Sequence, residues 1–253
     1  MLSRATRLLG LTIFSLALLA ADLSAQGFAN RGPQPPQPPR TARQAAPNDL
    51  TGYWVSVVTE DWKYRMVNAN KGDYAGLPLT DAARRAADSW DPATDPDPVE
   101  DCRNYGAPNI MRQPGRIHIT WQDDQTLKLE TDAGSQTRVF SFESSQRAGG
   151  GWQGVSRAAW DSVPGGRGPV LTGSLKVVTT QIKPGFIRSD GVPYSANATL
   201  TEYLDRVDFP DGNTYLVVTS TLDDPAYLSA PYMTAVHFRK EADGSGWKPA
   251  ACR

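Results

Sequence analysis

The sequence predicts a mainly β chain, folded as a single antiparallel barrel of about eight to ten strands with one short helix. Three observations carry that prediction. Segments rich in β-branched and aromatic residues, with apolar and polar positions alternating, recur along residues 51–240. Turn clusters such as Asp123-Asp124, Pro164-Gly165-Gly166 and Pro210-Asp211-Gly212 separate them. The 22 Gly and 20 Pro suit a loop-rich β chain better than a helical bundle. A sandwich has the same spacing, but one sheet of this width tends to curl and close, which removes its edges.

The elements follow in order. Residues 51–59 and 62–67 read as strands, from their Tyr, Trp and Val content. Residues 79–90 read as the helix, with Thr80 as N-cap, Ala82, Ala83, Ala86 and Ala87 at helical spacing and Pro92 as the stop. Further strands are expected at 116–121, 126–131, 136–142, 152–160, 173–182, 198–207, 214–222 and 233–240. One hairpin can be registered from the pattern alone. Apolar residues must face apolar ones, so Trp121 pairs with Leu127, Ile119 with Leu129 and His118 with Glu130, around a loop at 123–125 with Gln122 opposite Thr126.

The N-terminus reads as an address. Arg4 and Arg7 precede an apolar run from Leu8 to Ala21, and Leu23-Ser24-Ala25 supplies the small-residue exit, the pattern of a cleavable signal peptide over residues 1–25. The run is shorter than the roughly 20 residues that span a bilayer, so no stable membrane insertion of the mature chain is expected. Residues 26–47, with six Pro and three Arg, read as an extended linker. Residues 48–253 are then the barrel domain, periplasmic or secreted.

Composition narrows the function. The chain has 26 Lys+Arg against 27 Asp+Glu, for a net charge of −1. Residues 1–47 hold five Arg and one Asp, which leaves 48–253 at −5. An acidic body argues against a nucleic-acid partner. Cys102 and Cys252 are the only cysteines, and an even pair in an exported chain reads as a disulfide. No cofactor is implied. The two histidines come from strands far apart in sequence, so no metal site is predicted. Nucleophile turns, zinc-helix motifs and phosphate loops are absent from the sequence. The acid pairs Glu60-Asp61, Asp123-Asp124 and Asp223-Asp224 sit at strand ends and read as solvated turn carboxylates.

Two functions fit what remains. The first is an exported barrel that binds a small hydrophobic or aromatic molecule, with Trp54, Trp121, Trp152, Trp160 and Tyr203, together with Glu202 and His237, as candidate ligand-binding residues. The second is a small barrel enzyme doing proton-transfer chemistry (an isomerase, hydratase or lyase) through His118 and Glu130, with Glu202 and Tyr203 as further polar candidates. The His118–Glu130 pair is either a solvated cross-strand ion pair on the outer face or a carboxylate-oriented imidazole inside the barrel. The alternation does not say which face is inside.

Several segments, in order, resemble a family of secreted bacterial proteins of unknown function. They are Cys102 with Gly106-Ala107-Pro108 and Met111, the stretch from Trp152 to Trp160, Ser174 to Thr180, Asp190-Gly191-Val192-Pro193-Tyr194-Ser195, Thr201-Glu202-Tyr203, and a closing Asp224-Pro225-Ala226-Tyr227 with Pro231-Tyr232. The resemblance covers about residues 102–240. It implies a lipocalin-like barrel and brings no catalytic residues with it. Two departures stand out: Tyr194 occupies a position where the family commonly has His, and residues 162–172 look like an insertion.

Overall fold

The computed structural model describes residues 40–67, 69–94, 102–143, 150–164 and 171–252. The predicted signal peptide and most of the linker lie outside the described residues. Residues 40–47, read as the end of the linker, fold against the barrel: the Ala42 N–H donates to Gln125 Oε1 at 3.2 Å and the Arg43 N–H to the Asp124 carbonyl at 3.1 Å.

The molecule is mainly β, with a closed nine-stranded barrel. Its strands are β1 (Gly52–Val57), β2 (Arg116–Asp123), β3 (Thr126–Thr131), β4 (Thr137–Ser141), β5 (Val155–Pro164), β6 (Leu171–Thr180), β9 (Thr199–Asp208), β10 (Thr214–Asp223) and β11 (Tyr232–Lys240). The order around the barrel is β1-β11-β10-β9-β6-β5-β4-β3-β2. A separate hairpin, β7 (Gly185–Arg188) with β8 (Val192–Tyr194), stands outside it. The expectation of a purely antiparallel barrel is corrected at one seam: β4 and β5 pair in parallel. Counting explains the seam. A closed ring of alternating strands needs an even number, so nine strands force at least one parallel neighbour.

The helix prediction holds in kind and place. Helix α2 (Asp81–Ser89) begins after Thr80, whose hydroxyl accepts the Ala83 N–H at 3.2 Å, and Ala83 and Ala87 form its buried face. It is not the only helix. Residues read as a strand at 62–67 form α1 (Trp62–Met66), and Ala107–Ile110 forms α3, preceded by a 3-10 turn at Arg103–Tyr105. Helix α1 escapes the strand pattern because Asp61, in the left-handed region at φ 50°, turns the chain out of β1. Trp62 and Met66 then face solvent, while Arg65 turns inward.

The predicted hairpin has the predicted pairs: Trp121 with Leu127, Ile119 with Leu129, His118 with Glu130. Its turn is tighter than expected. Asp123, not Gln122, faces Thr126, with a bulge between Trp121 and Asp123. The Asp123 carboxylate accepts the Gln125 N–H at 2.8 Å and closes the loop early.

The two barrel ends are built differently. At one end the 40–46 segment crosses the mouth, and Trp160 Nε1 donates to the Ala42 carbonyl at 2.7 Å. Trp121, Phe142 and Trp160 cluster beneath it. The other end is capped by α2, α3, the β7–β8 hairpin and the 224–231 turn. These bury a second apolar core that includes Leu79, Ala83, Ala87, Ile187, Val192, Tyr194, Leu200, Leu222 and Leu228. Tyr194 is seated by glycine: a Cβ at Gly106 would stand 2.0 Å from its hydroxyl, and one at Gly185 2.7 Å.

The C-terminal tail leaves β11 and runs along the outside of β1 and β2 to the capped end. Glu241 pairs with Arg116 at 2.9 Å, the Ala250 N–H donates to the Asp132 carbonyl at 2.8 Å, and Cys252 is joined to Cys102 by the predicted disulfide.

Candidate functional site

Register fixes which residues face inward. Across β6, β9, β10 and β11, three successive inner rows run Leu175-Leu204-Val218-Val236, then Val177-Glu202-Ser220-Thr234, then Thr179-Leu200-Leu222-Tyr232. The first row is wholly apolar. The second carries a polar belt. Arg138 enters the interior from β4, and its two Nη atoms grip both Glu202 oxygens at 2.9 and 2.5 Å. Both side chains are about 1% exposed. Arg138 Nη2 also donates to Thr179 Oγ1 at 3.3 Å, and Thr179 shares a 2.8 Å hydrogen bond with Ser156. Desolvating two charges offsets much of their attraction, so such a pair is poor evidence for stability and better evidence for a specific arrangement. Glu202 was foreseen as a candidate from the sequence; Arg138 was not.

Three more guanidinium–carboxylate pairs gather at the capped end. Arg65 bonds Glu60 and donates from Nε to the Arg112 carbonyl at 2.8 Å. Arg112 reaches Asp61 at 3.1 Å, and Arg188 reaches Asp190 at 2.9 Å. Burial pushes the Asp190 carboxyl above its ordinary value against the pull of Arg188. Burial also pushes Glu60 up, but hydrogen bonds from Thr59 and His237 and the charge of Arg65 outweigh it and hold that carboxyl low. Asp224 corrects the reading of turn carboxylates as solvated. It is fully buried, accepting the Ser195 N–H and hydroxyl at 2.7 Å each, and so locks the 224–228 turn to the end of β8.

The predicted His118–Glu130 pair lies on the outer face, since Ile117, Ile119 and Trp121 are the residues of β2 that enter the core. The two groups are 3.6 Å apart, and Lys128 takes the same Glu130 oxygen at 3.0 Å. The imidazole stacks on Tyr53 at 3.9 Å, with Trp247 of the tail against its edge. His118 thus docks the C-terminal tail. His237, also outward-facing, has Nδ1 2.9 Å from Glu60 Oε2. Among the described residues no group of three or more His, Cys, Asp or Glu is placed to share a metal ion.

The aromatic candidates separate. Trp54 is fully buried in the barrel core, its Nε1 donating to the Leu50 carbonyl at 3.0 Å. Trp121 and Trp160 pack at the mouth crossed by residues 40–46, and Tyr203 lies on the outer face with Lys176 over its ring at 5.6 Å. Trp121 also borders a depression of about 360 Å³ beside Arg43 and Asp49, and Trp152 lines a larger one. The larger depression, about 510 Å³, lies outside the barrel at the capped end, between the 151–154 turn, the β7–β8 hairpin and the 224–228 turn. Trp152, Phe186, Tyr194 and Tyr227 with Pro184 and Pro193 form its walls. Lys183 covers the Trp152 ring at 4.0 Å. Burial pushes the Tyr194 hydroxyl far above its ordinary value. Phe186 was not singled out by the sequence, because a short hairpin carries no periodicity; Tyr227 was read there as part of the closing turn, not as a ligand-binding residue.

Among the described residues no helix is long and apolar enough to cross a membrane. Compared with known protein families, with curated proteins and with solved structures, the chain gives no match.

Proposed function

We propose that the chain is an exported barrel protein that holds a small apolar or aromatic molecule in the depression at its capped end. The carrying observation is the depression itself. At about 510 Å³ it lies within the range of about 300–1,000 Å³ usual for small-molecule sites. Its walls are mostly aromatic and proline side chains held by surrounding packing, so little ordering cost remains for a ligand. The disulfide and the N-terminal sequence pattern both support export.

The test is thermal unfolding of the full-length protein against indole, naphthol and other small aromatic compounds. A true ligand at about a hundredfold excess over its Kd should raise Tm by roughly 5–10 °C. Trp152→Ala and Tyr227→Ala should each remove that rise. A panel without any stabilising compound, or a rise that survives both substitutions, rejects the reading.

A further inference from the structure

We propose that the ligand of the depression at the capped end is an aromatic carboxylic acid, bound as its carboxylate; this rests on the reading of that depression as a binding site. The lining is of two kinds. Trp152, Phe186, Tyr194 and Tyr227 supply flat apolar surface for a ring. Arg103 and Lys183 supply charge. Each cation stands over a ring of the wall. Lys183 Nζ lies 4.0 Å from the centre of the Trp152 ring, and the Arg103 guanidinium carbon 5.9 Å from that of Phe186. Among the described residues no Asp or Glu lines the depression.

One carboxylate lies behind that lining. Asp224 is fully buried, and it accepts the N–H and the hydroxyl of the lining residue Ser195 at 2.7 Å each and the Ala226 N–H at 3.3 Å. It holds the turn together and is sealed from a ligand. Two cations on the walls against this single carboxylate leave the site with an excess of positive charge. A neutral ring would cover that excess without offsetting it, and an amine would add to it. A carboxylate offsets it and suits the donors. The planar guanidinium matches its two oxygens, and the ammonium meets either one. Both groups present several N–H donors in different directions, so each can keep its ring and still meet the ligand.

The experiment is calorimetry on the full-length protein at neutral pH with probes that share a ring and differ in charge. Indole-3-acetate, indole-3-acetamide and tryptamine form one set; 2-naphthoate and 2-naphthamide form another. In at least one set the acid should bind at least about tenfold more tightly than its amide, with tryptamine weaker than both indole partners. High salt should weaken the acid and leave the amide unmoved. Lys183→Met keeps the apolar stem and removes the charge. It should cost the acid about tenfold and change amide binding by less than about twofold. Arg103→Met should act in the same direction, and Trp152→Ala should remove acid and amide binding together. If no compound of either set binds, the depression is not an aromatic site and both readings fall. If the amides bind as tightly as the acids, if tryptamine binds best, or if acid binding survives Lys183→Met and Arg103→Met, the aromatic site stands and the carboxylate assignment alone is overturned.

Discussion

Toward the mouth crossed by residues 40–46, the barrel interior is filled by Trp54, Ile119, Leu127, Phe140, Leu175, Leu204 and Leu216, all with essentially no exposure. A few ångströms toward the cap, the same strands turn Arg138, Glu202, Ser156, Thr179, Ser220 and Thr234 inward. Backbone, pairing and curvature are shared, so the contrast is one of side chains alone. The apolar half supplies the burial that closes and stabilises the barrel. The polar belt stabilises little, since its central ion pair loses in desolvation much of what it gains in attraction.

That contrast can be broken at its two centres. Glu202→Leu, which strands the Arg138 charge in the core, should destabilise the protein by about 3–5 kcal/mol. Phe140→Ala in the apolar half should cost a similar amount, about 3–5 kcal/mol. The halves part company in the double variants. Arg138→Met with Glu202→Leu should return stability to the parent value or above it, whereas a second apolar truncation beside Phe140 should only add to the loss. Urea unfolding of the four proteins decides, and a double variant as unstable as the single one would show that the pair does stabilise the fold.

The cap and tail form the next weaker region. Cys252→Ser releases a closure of 150 residues and should lower stability by roughly 2–5 kcal/mol. The tail should then lift from His118 and Tyr53, and deuterium exchange at residues 244–250 should rise before any exchange within β1 or β2.

The smallest effect concerns alkaline pH. Burial and the hydrogen bond to Asp88 push the Tyr74 hydroxyl from 10.0 up to about 12. The folded chain therefore holds this proton where the unfolded chain releases it. The associated stability is complete below pH 10 and is lost as pH rises to about 12. Tyr74→Phe should flatten the fall in unfolding free energy over that window and leave its slope at neutral pH unchanged.

Much of the barrel was legible because strand alternation and turn chemistry are local signals. The His118–Glu130 register, the Thr80 cap of α2 and the limits of β3 and β9 to within a residue or two all follow from residues close in sequence. Helix α1 was misread because Trp62, Tyr64 and Met66 have strand-like composition, while the decisive event is the left-handed turn at Asp61. The candidate sites were less legible. Arg138 shares its alternation parity with Phe140, and Ser220 with Val218 and Leu222, so a polar residue on an apolar face was visible in principle. Phe186 and Tyr227 gave no such sign, since the depression exists only where a hairpin and a turn from distant parts of the chain meet.

By itself, then, the sequence determined a β chain, the helix α2, the pairing of its only two cysteines and the facing residues of a hairpin. Each depends on near neighbours or on simple counting. Tertiary structure alone decided that β4 and β5 run parallel, that His118 lies outside beneath the C-terminal tail, and that Arg138 meets Glu202 within the barrel. The reason is geometric. A period of two divides a strand into two faces, but only closure of the whole sheet makes one of them the inside.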